Sequence, residues 1–146
     1  MAYGRSDPDI SYIGGDHGIK SYSKLMEMEM GIDVIIPENK WGYSLAERPK
    51  DYKYPVLWLL CGGGFDYTDW QRYTAIELYA AQAGIAVVMP SAYYSGYMDT
   101  IHGDYKYFSV ITDEISKLAV KLFPLSEKRE DNFVAGIAMG GNGSLA

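Results

Sequence analysis

Phe133-Val134-Ala135-Gly136-Ile137-Ala138-Met139-Gly140-Gly141-Asn142-Gly143 is a short apolar run that ends in a cluster of glycines. The run over 133–137 is continuous rather than alternating, as expected of a strand covered on both faces. Glycine at 136 and at 140, on either side of Ala138, suits a sharp turn from strand into helix. Runs of the same kind recur towards the N-terminus, at Pro55-Val56-Leu57-Trp58-Leu59-Leu60 and at Ile85-Ala86-Val87-Val88-Met89. Helical spacing fills the intervals. The first interval, about 72–83, sets Ile76, Tyr79, Ala80 and Ala83 on one face, and Gly84 suits a left-handed helix end. The second, about 109–123, sets Ile111, Ile115, Leu118 and Leu122 on one face, and Pro124 stops it. Strand, helix, strand, helix, strand is the order of an α/β chain. It predicts a mostly parallel central sheet with right-handed crossovers and helices on both faces.

Before this core, residues 26–36 follow a different rule. Met26, Met28, Met30, Ile32, Val34 and Ile36 take the even positions, and Glu27, Glu29 and Asp33 take the other face. Period two predicts a strand with one wet side, in an antiparallel pair near the sheet edge. Pro37-Glu38-Asn39 opens a loop expected to run to about Pro49. Neither a repeat nor a linker divides the 146 residues, so one domain is expected over 1–146. A net charge of −6 supplies no basic stripe for nucleic acid. No run approaches the ~20 apolar residues that span a bilayer, and Met1–Pro8 lacks the apolar core of a signal peptide, so a cytoplasmic location without a membrane partner is the default expectation. The single Cys61 excludes an internal disulfide. Nothing in the sequence calls for a metal or cofactor.

Chemistry is expected at the C-terminal ends of the parallel strands. Leu60-Cys61-Gly62-Gly63-Gly64-Phe65 forms one glycine-rich turn there, able to aim backbone N–H groups at an oxyanion. The Gly-Lys-Ser/Thr of a phosphate loop and the dinucleotide spacing G-x-G-x-x-G are both missing. The second turn, Gly136–Gly140, has the spacing of G-x-S-x-G with alanine at the centre. In that motif the central residue sits in a strained strand-to-helix turn, and the following N–H is an oxyanion donor. An ordinary glycine-rich strand–helix turn fits the same residues. Tyrosine is abundant, with 14 copies, and Tyr93, Tyr94, Tyr97, Tyr105 and Tyr107 cluster. Such rings line ligand sites or simply anchor loops.

Longer segments resemble the esterase D-like family of α/β-hydrolases, which includes S-formylglutathione hydrolases, tributyrin and feruloyl esterases and mycolyltransferases. Residues 55–62 resemble its P-V-L-Y-L-L-H-G, followed by its tryptophan at Trp70. Val87-Val88-Met89-Pro90 resembles V-V-x-P, and residues 123–129 resemble F-P-x-S-x-x-R. Residues 133–141 resemble F-I-A-G-L-S-M-G-G. The resemblance implies the N-terminal part of an α/β-hydrolase fold. It puts Ala138 at the nucleophile's place and makes the N–H groups of Met139 and Gly63 the oxyanion donors. Gly62, Gly64, Tyr93 and Tyr94 then flank a small ester or thioester substrate, and Trp70 packs beneath the glycine loop. The mechanism implied is serine attack, an acyl-enzyme and hydrolysis by water.

Two departures qualify that expectation. A methyl group cannot attack a carbonyl, so Ala138 implies an inactivated carboxylesterase acting on a small acyl or hydroxycinnamoyl ester. Either a deliberate serine-to-alanine change or a natural loss produces it; the intact flanking motif favours the former. A non-catalytic binding protein and an acyltransferase are the alternative functions. The other departure is that Asp/Glu and His should follow the nucleophile in this fold, hence beyond Ala146, so the domain is expected to be incomplete. Association with that remainder, or with a second copy, stays open. His17 and His102 precede the elbow and are read as loop or surface residues. Asp99, Asp104, Asp113 and Glu114 are read as loop and helix-start charge, and Cys61 as a small packed hydrophobe.

Overall fold

The computed structural model describes residues 15–37 and 48–146. The expected loop from Pro37 to Pro49 therefore lies largely outside the described residues, as does the N-terminal stretch ahead of Gly15. Five strands form one sheet: β1 (Gly15–Ser23), β2 (Met28–Ile36), β3 (Val56–Leu60), β4 (Ala86–Pro90) and β5 (Asn132–Gly136). Their order is β1-β2-β4-β3-β5. β3 runs parallel to both β4 and β5, which is the parallel core the apolar runs predict. The hairpin β1–β2 adds to β4 in antiparallel sense.

The chain leaves β3 through α1 (Asp69–Tyr73) and α2 (Ile76–Ala83) to reach β4. It then returns across β3, through α3 (Tyr107–Ser109), a π-helical stretch Val110–Ile115 and α4 (Ser116–Leu122), to reach β5. One crossover runs to each side of β3. Right-handed connections in opposite directions put the helices on opposite faces, and open α/β sheets take their ligands beyond the strand ends at such a point of reversal. Each face has its own core. On one, Met30, Ile32, Val34, Val56, Leu60 and Val88 meet Tyr107, Val110, Ile115 and Ala119. On the other, Ile35, Leu59, Val87 and Met89 meet Ala80, with Trp70 and Ile76 packed at the margin.

Four expectations change in detail. β2 pairs with β1 as its period suggests, but it has no wet side after Glu29: residues 30–36 are all buried, because β4 closes one edge and helices cover both faces. Asp33 is buried with them at 4 % exposure. The single helix expected over 72–83 is two, broken at Thr74–Ala75, with Ala80 buried and Tyr79 largely exposed. Gly84 does end α2, at φ 65°, its N–H bonded to Ala80 and Ala81 carbonyls. In the second helix the π stretch inserts a residue into the repeat. The buried stripe becomes Tyr107, Val110, Ile115 and Ala119, and Leu122 turns out to solvent at 41 % exposure. β5, expected to be covered, lies at the sheet edge with Phe133 and Val134 half exposed.

Candidate active site

Both glycine turns leave the ends of the neighbouring parallel strands β3 and β5, so the topology sets them side by side. The second holds the sharpest backbone feature of the site. Ala138 has φ 52° and ψ −114°, a conformation L-residues rarely adopt, at the junction between β5 and α5 (Met139–Gly143). The flanking glycines are required by close approach. A Cβ on Gly136 would lie 2.9 Å from Gly140 Cα and closer still to the Gly140 carbonyl. A Cβ on Gly140 would lie 2.7 Å from the Cys61 carbonyl oxygen, with the Leu60 carbonyl nearer. The elbow thus packs backbone to backbone on the end of β3, and Ile137 N–H donates to Leu60 O at 3.4 Å. Ala138 itself is exposed.

The first turn is closed by Phe65 N–H donating to Gly62 O at 3.3 Å, and Gly64 has φ 81°. A Cβ built on Gly63 would meet the Tyr94 ring at 3.3 Å and Met139 Sδ at 3.7 Å. The Tyr94 ring and the Met139 side chain therefore both lie against Gly63. Tyr94 lies across the glycine turn yet is 84 % exposed, an aromatic wall with one face to solvent. Tyr93 does not join it: its ring stands edge-on to Tyr107 with centroids 6.5 Å apart. Gly62 is buried beneath Phe65, and Gly64 faces the Tyr94 hydroxyl.

The loop carrying these tyrosines follows β4 and is tied to the elbow from below. Gly96 N–H donates to Met139 Sδ at 3.2 Å, and the buried Tyr97 hydroxyl donates to Cys61 O at 3.1 Å. Tyr97 adopts φ 57°, and burial pushes its hydroxyl well above the usual tyrosine range. Sequence reasoning grouped Tyr97 with the other tyrosines and missed this role; only its tertiary neighbours distinguish it. Cys61 is buried between Tyr97 and the Phe65 and Pro90 carbonyls, a packed thiol as expected.

The remaining titratable groups lie elsewhere. The His17 ring packs on Phe123 at 5.4 Å, and His102 is exposed in the turn between Asp99 and Lys106. Asp99 accepts hydrogen bonds from Ser109, whose hydroxyl holds its carboxyl below the usual range. Asp113 pairs with Lys117 at 3.5 Å, and Glu114 caps the turn between β1 and β2. Asp104 is exposed beside His102. Among the described residues no group of three or more His, Cys, Asp or Glu is arranged to hold a metal ion, and no helix is long and apolar enough to cross a membrane.

Comparison with known proteins identifies the family. The profile of the Esterase family, described as "Putative esterase", matches residues 23–146. The chain belongs to the Esterase family. An acetyl esterase of Caldicellulosiruptor saccharolyticus is 29% identical over 127 residues, 87% of this chain and 48% of that protein. The fluorophosphonate-binding serine hydrolase F of Staphylococcus aureus, in a substrate-bound structure, is 34% identical with a TM-score of 0.75. The match covers 88% of this chain and 49% of that one. An S-formylglutathione hydrolase of the same organism, as apoenzyme, is also 34% identical, with a TM-score of 0.71 over 87% of this chain and 48% of that one. The chain spans about half the length of these Esterase-family relatives. The fold is therefore that of the α/β serine hydrolases it matches.

Proposed function

We propose that this chain forms the nucleophile-elbow half of a serine ester hydrolase acting on a small acyl ester or thioester, with Ala138 in the position of the attacking serine. The observation that carries the reading is the backbone of Ala138. A φ of 52° is unfavourable for alanine and has no packing purpose, since the side chain is exposed. It is the posture that projects a central hydroxyl out of a strand-to-helix turn. Gly136 and Gly140 serve the same posture, because any larger residue would collide with backbone.

In the serine form, the hydroxyl attacks the substrate carbonyl and loses its proton to a histidine supplied from outside the described residues. The N–H groups of Met139 and Gly63 are the proposed donors for the oxyanion, a reading supported by the Met139 side chain lying near Gly63. Collapse of the tetrahedral species expels the alcohol or thiol, and water then releases the acid. Tyr94, lying against Gly63 and Gly64, bounds the acyl side and favours a short acyl group or a flat ring. The acetyl esterase and S-formylglutathione hydrolase relatives are consistent with a short acyl group.

The test is Ala138→Ser in the full-length protein, assayed on p-nitrophenyl acetate, a feruloyl ester and S-formylglutathione. Turnover of at least one, absent with alanine, is expected. An inert but folded Ala138→Ser protein across all three would end the esterase reading. The codon at position 138 in the parent gene separates a made substitution from a natural one.

A further inference from the structure

We propose that Tyr97 is a positioning residue for the oxyanion site, holding the glycine turn after β3 and the elbow helix α5 in one fixed relation. This inference rests on the esterase reading above. Tyr97 is 2% exposed, and its hydroxyl has two partners on one residue: it donates to the Cys61 carbonyl at 3.1 Å and lies 3.3 Å from Cys61 Sγ. Cys61 directly precedes Gly62-Gly63, so fixing its carbonyl fixes the peptide plane from which the turn sets out. The ring's other duty is to α5. A Cβ on Gly143 would lie 2.7 Å from the Tyr97 ring, so ring and helix backbone are in direct contact. One residue earlier in the loop, Gly96 N–H holds the Met139 side chain.

Tyr97 thus touches Cys61, which leads into the glycine turn, and Gly143 of the elbow helix. Its own backbone is left-handed at φ 57°, a state that a bulky residue keeps only where its surroundings over-determine it. A phenylalanine would fill the same volume. What the hydroxyl adds is a directional tie in a water-free spot, where such bonds discriminate strongly between aligned and misaligned groups. Loosening that tie misaims the donors without emptying the site, so the loss falls on the transition state more than on bound substrate.

The test compares Tyr97→Phe with the parent in the full-length Ala138→Ser protein. We expect kcat to fall about tenfold, less than the loss on deleting an oxyanion donor outright. KM should stay within about twofold, and affinity for a trifluoromethyl ketone should fall in step with kcat. Gly143→Ala, whose new methyl displaces the ring, should reproduce the kcat loss. A folded Tyr97→Phe protein with unchanged kcat, or with KM rising in place of a kcat loss, overturns the proposal. Hydrogen exchange in the full-length Ala138 protein reads the same tie without turnover: Tyr97→Phe should speed exchange at Gly62–Gly64 while the rest of the sheet is unchanged, and unaltered exchange there contradicts it. Absence of turnover before any change at Tyr97 would count against the esterase reading instead.

Discussion

Ala138, Gly136 and Gly140 show how few atoms decide this site. At Gly136 and Gly140 a methyl group would enter the space of neighbouring backbone, which cannot move aside without shifting β3 or α5. Gly136→Ala and Gly140→Ala are each expected to cost about 3 kcal/mol or more in denaturant unfolding. Gly141 is the control: a Cβ there meets Gly136 O at 3.5 Å, ordinary contact, so Gly141→Ala should be neutral or stabilising by up to about 1 kcal/mol. Ala138→Gly relieves a strained φ and should stabilise by about 1 kcal/mol, while a replacement that merely filled a socket would not. Asp33 is the other residue with a measurable signature. Burial, then the neighbouring Asp16 carboxylate, push its pKa up from 3.8 to about 7. The folded state therefore holds a proton that the unfolded chain releases near pH 4, and stability falls as pH rises from about 4 to about 7, then levels. Asp33→Asn should flatten that slope in urea titrations at pH 4, 5.5 and 7. The spacing of the glycines around Ala138 was legible in the sequence because their constraint is local. The burial of Asp33 and Tyr97 was not, since it depends on strands and loops far away in the chain.

Among the elements, the parallel trio β4-β3-β5 was readable because continuous apolar runs leave little choice of environment. The helices were less so. The π stretch Val110–Ile115 breaks the 3.6 spacing, and a periodic reading of Ile111, Ile115, Leu118 and Leu122 follows the unbroken helix instead. That stretch also brings Glu114 to the hairpin. Its carboxylate accepts the Lys24 N–H at 3.0 Å, the Leu25 N–H at 3.1 Å and the Ser23 hydroxyl. One side chain from the second crossover thereby satisfies the turn between β1 and β2. Glu114→Ala hands those exposed backbone donors to water and should cost about 1 kcal/mol, with Glu114→Gln recovering part of it. Loss of less than about 0.5 kcal/mol in Glu114→Ala would mean the turn holds itself.

For the molecule as a whole, β5 is the outer strand of the sheet, and Phe133, Val134 and Ile137 expose half or more of their surface there. An uncovered apolar edge is an invitation to pair. The 146-residue chain by itself is expected to bind a hydrophobic dye and to self-associate in light scattering, and Phe133→Lys should reduce both. At this scale the loop after β4 is tied to the turn after β3 through Tyr97 and Cys61, and to the elbow after β5 through Gly96 and Met139. Under the proposed function, this arrangement serves acyl transfer to a residue at position 138. The most direct measurement is intact and peptide mass spectrometry of the full-length Ala138→Ser protein, quenched during turnover of p-nitrophenyl acetate. One acetyl group is expected on the peptide containing position 138, absent from the alanine protein. A folded Ala138→Ser protein that hydrolyses the ester with no acyl group there, or with the acyl group on Cys61, would contradict it.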